Sequence, residues 1–338
     1  MFIQVVKNRY TYFIISAVLF LISFLALILL PLNLGVDMTG GTQSEFSYNG
    51  EMNIEQVRTD TEKLSSEFIH EGKKVINNTE VYKVAGESKF VVVAGFDSNF
   101  DDKTTDTLKT EYKEKLSTLL ESHNKDLVLD NYVNIGKSFG DYIKSTAIKT
   151  LIIAILAISL YLAYTFSGSV GGISSLFFAV ITVITLLHDV VIPTGLYIIT
   201  SFFFPEFKVD TFFITALLTV LGFSIADTIV ILDRIRYNLK LHGGRTKDLA
   251  TIVDESVNDT MTRSLYTSLT LFLVLISIFF FGPQTLRGFI LAMIFGVLVG
   301  AYSSIFISAT SLYELNKNKK LEAYKEEKDR KPEDKLVV

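Results

Sequence analysis

The 338-residue chain has no cysteine, no tryptophan, five prolines and four histidines. Without cysteine there are no disulfides, no thiolate metal ligands and no thiol nucleophile, and the redox compartment leaves no mark on the sequence. An excess of one charge sign is missing too: 32 lysines and arginines stand against 36 aspartates and glutamates, a formal net charge of -4, with no basic patch to suggest a nucleic-acid partner. Apolar surface is what the chain has in excess. Apolar residues make up 49% of it and the mean hydropathy is +0.38, too oily for an ordinary soluble enzyme of this length.

A helix needs roughly 20 apolar residues to cross a bilayer. Runs of that kind occupy residues 12–30, 148–166, 173–204, 212–232, 265–281 and 289–309, which predicts six transmembrane helices. The third run has no charged or turn-rich connector, so it is read as one long helix bent at Pro193. The first run is long for a secretory leader, lacks an Ala-x-Ala-like exit and leads directly into Pro31, so it is expected to be retained. Lys7 and Arg9 precede the first run, and Arg234, Arg236, Lys240, Arg245 and Lys247 follow the fourth. By the positive-inside rule both termini then lie in the cytoplasm. The expected division is an N-terminus and first helix (1–32), an extracytoplasmic domain (33–146), a five-helix bundle (147–312) and a charged cytoplasmic tail (313–338) that is a frayed solvated helix or disordered. Within the bundle, the connector 237–261 carries Leu249, Ile252, Val253 and Val257 at helical spacing, predicting an amphipathic helix on the inner membrane surface, among the lipids.

The segment after the first run alternates between the two periodicities. It reads as extended 42–48, helical 54–71, extended 80–85 and 89–96, helical 102–122 and extended 127–135. The order β-α-β-β-α-β predicts a ferredoxin-like α+β domain, two helices on one antiparallel sheet. It contains no catalytic set, and His70 and His123 sit in charged helical surroundings that suggest solvated side chains.

Ionisable residues inside the oily runs carry the most information, because a charge at the bilayer centre costs at least about 2.5 kcal/mol. Asp227 lies about two turns before Arg234 in the fourth run, and Arg263 opens the fifth from the same side, so an Asp–Arg pair is geometrically allowed. Two readings stay open for that pair: a protonatable carboxylate whose charge state the arginine sets, or a structural link between helices. Arg263 alone also fits a residue snorkelling to the inner headgroups. His188-Asp189 sits deep in the third run. Pro193 frees the carbonyl of Asp189, so a polar cluster is expected there, serving to relay protons or bind an ion, or as a hydrogen-bond network supporting the bend. Gly288, Ala292, Gly296 and Gly300 repeat every four residues in the sixth run, a stripe along which another helix packs closely, from this chain or from a partner.

Four motifs together give the chain its resemblance. They are Gly35-Val36-Asp37-Met38-Thr39-Gly40-Gly41-Thr42, Asn134-Ile135-Gly136-Lys137-Ser138-Phe139-Gly140, His188-Asp189-Val190, and the run from Gly222-Phe223-Ser224-Ile225-Ala226-Asp227-Thr228 to Asp233-Arg234-Ile235-Arg236, followed by Thr262-Arg263-Ser264 and Thr267-Ser268. Over nearly its whole length the chain resembles the SecF branch of the SecD/SecF family, within the resistance-nodulation-division superfamily. Met38 replaces the usual Phe, and Ala226 stands where Asn is common.

The resemblance implies an accessory subunit of the Sec preprotein translocase in the bacterial cell membrane. Such a subunit pairs with SecD, works beside the SecYEG translocon, handles unfolded preprotein and uses the proton motive force. It implies no enzyme chemistry and no cofactor beyond the coupling proton. It places proton coupling on Asp227 and Arg263, with His188, Asp189, Ser224, Thr228 and Thr267 as supporting polar groups and Asp37, Gly40, Gly41, Gly136 and Gly140 as the outer motif. The alternatives are a proton-coupled exporter of lipids or small molecules from the same superfamily, or a non-transporting membrane assembly factor.

Overall fold

The computed structural model describes residues 3–84, 87–96, 100–165, 170–283 and 286–323. The predicted tail beyond residue 323 therefore lies outside the described residues. The chain runs α1 (Arg9–Leu29), a short α2 (Val36–Thr39), β1 (Gly41–Ser47), α3 (Ile54–Glu67), β2 (Ile69–His70), β3 (Lys73–Lys74), β4 (Ile76–Lys83), β5 (Lys89–Phe96), α4 (Asp102–Glu121) and β6 (Val128–Ile135). The helical part follows as α5 (Lys137–Thr165), α6 (Ser175–Phe203), α7 (Thr211–His242), α8 (Leu249–Phe281), and a last span made of α9 (Arg287–Tyr302), a π-turn (Ser303–Ser308) and α10 (Ala309–Asn316). Among the described residues, six helical segments are long and apolar enough to cross a membrane, in the six places the hydropathy predicts. The third is a single helix with Pro193 inside it, as predicted.

Strands β4, β5, β1 and β6 form one antiparallel sheet in that order. Alternation decides its two faces. Phe46, Phe90, Val92 and Ala94 point to a core shared with Val57 of α3 and with Leu108, Tyr112, Leu116 and Leu120 of α4. Val91, Val93 and their neighbour Val133 point the other way, toward Val36 and the ends of the long helices. The helix predicted over 54–71 is shorter than expected. It stops at Glu67, and β2 and β3 form a hairpin turned by Glu71 and Gly72, both with positive φ (50° and 76°). Two consecutive positive φ values suit a two-residue hairpin turn, which a helical reading of the charges overlooks. The histidines are also less solvated than predicted: His123 Nε2 lies 3.0 Å from Asp60 Oδ2, and the half-buried His70 ring meets Phe100 edge-on.

In the bundle, α6, α7 and the last span are the most buried, while α1, α5 and α8 present broad apolar faces outward. The small-residue stripe is answered within the chain. A Cβ on Gly296 would fall 2.4 Å from the γ-carbons of Val220, and one on Gly300 would fall 3.0 Å from Ser224 Cβ, so α9 and α7 are almost in backbone contact. Ala292 is buried, and Gly288 lies against the Tyr197 hydroxyl of α6. The connector expectation is corrected. α7 continues to His242 and α8 begins at Leu249, so 237–261 is no separate surface helix. Leu249, Ile252, Val253 and Val257 are buried with Val5, Val6, Ile235, Leu239 and Leu312, because the chain's own N-terminal segment covers them before lipid can. Asp254 accepts a hydrogen bond from Val6 N at 2.9 Å, and Asn258 binds Ile3 through both N (2.9 Å) and O (2.8 Å).

At the sheet end, α2 crosses the first turn of α5. Gly40 needs its positive φ of 73° there, and a Cβ on Gly140 would sit 2.7 Å from Gly40 N, whereas Gly136 has no atom within 4 Å of such a carbon. Gly140→Ala in the full chain is expected to cost about 1–3 kcal/mol by overpacking, and Gly136→Ala less than about 0.5 kcal/mol. Thermal unfolding of both variants in detergent checks this; equal midpoints would remove the close crossing as a constraint.

Candidate functional site

Two carboxylates are buried between the helices. Asp189 on α6 is 1% exposed and Asp227 on α7 is 8% exposed. Asp189 Oδ1 lies 2.9 Å from His188 Nδ1, and its Oδ2 accepts hydrogen bonds from Ser303 Oγ (2.8 Å) and from Ser224 Oγ. The other ring nitrogen of His188, Nε2, is 2.7 Å from Ser16 Oγ on α1. Asp227 Oδ1 accepts from Ser264 Oγ on α8, and its Oδ2 accepts from Ser304 Oγ at 2.7 Å. Adjacent serines on the last span thus serve carboxylates on two different helices. Neighbours on a regular α-helix diverge by about 100°; here both belong to a π-turn, a widened turn that recurs at functional sites.

The predicted Asp227–Arg263 ion pair is absent among the described residues. Ser264, the next residue, takes the place beside Asp227, and Arg263 is exposed on α8. One residue of helical rotation separates the two positions, a detail that motif spacing does not resolve. Of the supporting residues, His188, Asp189 and Ser224 gather into one cluster. Thr267 instead donates back to the carbonyls of Arg263 and Ser264 on its own helix. Thr228 is buried, and its hydroxyl has no hydrogen-bond partner among the described residues.

The donors Ser16, Ser264, Ser303 and Ser304 escape a reading that searches for charges. A signal for Ser264 is nonetheless present: Ser256, Thr260, Ser264 and Ser268 recur every four residues along α8, and all are buried. Ser303, Ser304 and Ser308 likewise interrupt an otherwise apolar run.

A second constellation caps α7 at the sheet end. Asp37 Oδ2 accepts from Thr211 N at 2.6 Å and from the Thr211 hydroxyl, while Asp210 Oδ1 accepts from Phe213 N at 2.8 Å. Both carboxylates satisfy amides that a helix start leaves open, and the positive end of the helix dipole favours them. The chain between α1 and β1 is tied to the same place by Gly35 N to Val209 O (2.9 Å) and Val209 N to Asn33 O (2.8 Å). Between these caps and the lower face of the sheet lies a cavity of about 310 Å³, lined in part by Glu45, Tyr82, Lys208 and Arg287. Lys208 Nζ crosses to Glu80 Oε2 at 3.0 Å, joining the α6–α7 connection to β4.

Burial, followed by the nearby charge of Asp37, pushes the Asp210 carboxyl from 3.8 up to about 6. Between those values the folded chain holds a proton that the unfolded chain has lost. Stability therefore falls as pH rises through that window, by up to about 3 kcal/mol, and the penalty is complete above about pH 6. Asp210→Asn keeps an oxygen for Phe213 N but removes the titration, so its thermal midpoint is expected to change less than that of wild type between about pH 4 and pH 7. Parallel midpoints across that range would show that Asp210 does not cause the pH dependence.

The family model "Protein export membrane protein SecD/SecF, C-terminal" matches residues 115–318. The chain is 32% identical over 318 residues to the protein translocase subunit SecF of Sebaldella termitidis, covering 94% of this chain and 93% of that one. It is 30% identical over 304 residues to the protein translocase subunit SecDF of Bacillus subtilis, covering 90% of this chain but 36% of that longer protein. The crystal structure of SecDF, a translocon-associated membrane protein from Thermus thermophilus, superposes with a TM-score of 0.71 at 26% identity. That match covers 92% of this chain and 38% of the solved one. With its six apolar helices, the chain is a multi-pass membrane protein and belongs to the SecD/SecF family.

Proposed function

We propose that this chain is the SecF-type accessory subunit of the Sec protein translocase, and that proton binding at Asp227 couples the proton motive force to its part in protein export. Its partner is a SecD-type protein: the Bacillus subtilis relative is a SecDF, and this chain accounts for 36% of that length. The outward apolar faces of α1, α5 and α8 offer such a partner room. By the same reading the subunit works beside SecYEG in the bacterial cell membrane, with both termini in the cytoplasm and the sheet domain outside, where unfolded preprotein emerges. The strand order β4-β5-β1-β6, with two helices on one face, supports a ferredoxin-like sandwich as the form of that outer domain.

One observation carries the coupling role: Asp227 is buried, and its bonded partners are hydroxyls. A hydroxyl donates to a carboxylate and accepts from a carboxylic acid, so Asp227 can take up or release a proton without breaking an ion pair. The neighbouring Arg263 has a role that depends on motion. Rotation of α8 by one residue, about 100°, exchanges Ser264 for Arg263 at the carboxylate. An arginine at that distance favours the ionised form, so the rotation drives proton release.

The test is export in cells whose own SecF is depleted and replaced by this protein with its matching SecD, at equal membrane abundance. Asp227→Asn and Arg263→Met are each expected to lower the export rate at least about tenfold, the scale of one lost charge interaction of about 1.4 kcal/mol. Full export by both variants while they remain assembled would make the pair structural and favour an assembly factor.

A further inference from the structure

Proton binding at Asp227 leaves the more deeply buried Asp189 without a task. Building on the reading of Asp227 as the coupling site, we infer that His188 and Asp189 form a second proton-binding site, joined to Asp227 through the hydroxyls of Ser303 and Ser304.

The argument rests on counting hydrogens. Each serine hydroxyl has one to donate. Ser303 Oγ is 2.8 Å from Asp189 Oδ2 and 3.1 Å from Gly300 O; Ser304 Oγ is 2.7 Å from Asp227 Oδ2 and 3.2 Å from Ala301 O. Each hydroxyl therefore chooses between a carboxylate and a carbonyl of its own helix. An ionised carboxylate takes the hydrogen. A protonated carboxyl donates its own proton to the serine oxygen and releases the hydroxyl hydrogen to the carbonyl. The two choices are made at successive residues of one π-turn, where the backbone ladder already departs from the α pattern. A change of protonation at one carboxyl thus alters the turn that holds the donor of the other.

A second link runs through α7, where Ser224, one turn before Asp227, donates to Asp189 Oδ2. His188 completes the site, with Nδ1 2.9 Å from Asp189 Oδ1 and Nε2 2.7 Å from Ser16 Oγ of α1. From the other elements around the cluster, the titratable and charged groups are Asp227 of α7, Tyr302 of α9, whose hydroxyl donates to Tyr12 O at 2.8 Å, and Arg263, exposed on α8. Among the described residues, no lysine or arginine forms an ion pair with either carboxylate. Two negative charges without a cationic partner in one apolar bundle are costly, so the two sites do not act independently.

The test is acid-minus-neutral infrared difference spectroscopy of the full chain with its SecD-type partner in lipid, read in the carbonyl stretch of protonated carboxyls. Two buried components are expected. Asp227→Asn removes one, Asp189→Asn removes the other, and Asp189→Asn also displaces the Asp227 component that remains. In the double variant Ser303→Ala, Ser304→Ala both components persist, and adding Asp189→Asn displaces the Asp227 component less than it does in wild type, the remainder passing through Ser224. A spectrum of Asp189→Asn that superimposes on wild type, or an Asp227 component that does not move, overturns the inference while leaving Asp227 as a coupling site. Loss of no component in Asp227→Asn overturns the coupling reading and this inference with it. If Asp189→Asn fails to assemble, His188→Gln takes its place: a shifted Asp189 component supports the site, and an unshifted one overturns it.

Discussion

A carboxylate inside an apolar helix bundle must be surrounded by donors, because water is not there to supply them. In this chain the donors are serines, contributed by α7 and α8 and by the last span, and they converge on Asp189 and Asp227. That requirement fixes the register of four helices at one level of the bundle. It also explains why glycine or alanine recurs along α9: Ser303 and Ser304 reach their carboxylates because Gly296 and Gly300 let α9 approach α7 almost to backbone contact. Packing and polar satisfaction are therefore one constraint. A hydroxyl shell, unlike an arginine clamp, does not commit its carboxylate to one charge state.

The same logic holds at the sheet end with a different chemistry. There the open amides of α7 are the donors, and Asp37 and Asp210 are the acceptors. Asp37 belongs to the chain that leads from α1 into the sheet, so a residue at the entry to the sheet completes the start of a bundle helix. Gly40 and Gly140 make the crossing of α2 and α5 possible, and Lys208 ties the α6–α7 connection to β4. These contacts, with the backbone pairing of Val209 to Asn33 and Gly35, join the sheet to the bundle.

Much of this was legible in the residues. Six spans followed from run length alone, the single helix α6 from the absence of any connector around Pro193, and a close helix contact along α9, its partner left open, from small-residue spacing. The cluster at His188-Asp189 followed from charges placed deep in an oily run. What was not legible depended on rotation or on distant partners. Motif spacing puts Arg263 and Ser264 at the same depth, but only the azimuth of α8 decides which meets Asp227. The hydrophobic face of Leu249, Ile252, Val253 and Val257 looks the same whether lipid or Val5 and Val6 cover it, and those partners lie some 250 residues away in sequence. Ser224 stands in a motif, whereas Ser16, Ser264, Ser303 and Ser304 carry no charge to mark them as donors.

The double cap on α7 has a mechanical meaning. α7 is 32 residues long, a rod of about 48 Å, and Asp227 lies 16 residues from its capped end, about 24 Å along it. A rod gripped at its tip by two carboxylates moves with whatever grips it. Tension on the sheet is then delivered to the middle of the bundle as a turn or slide of one stiff shaft. On the proposed reading of Asp227, movement of the sheet domain and proton binding meet on that shaft, which acts as a crank.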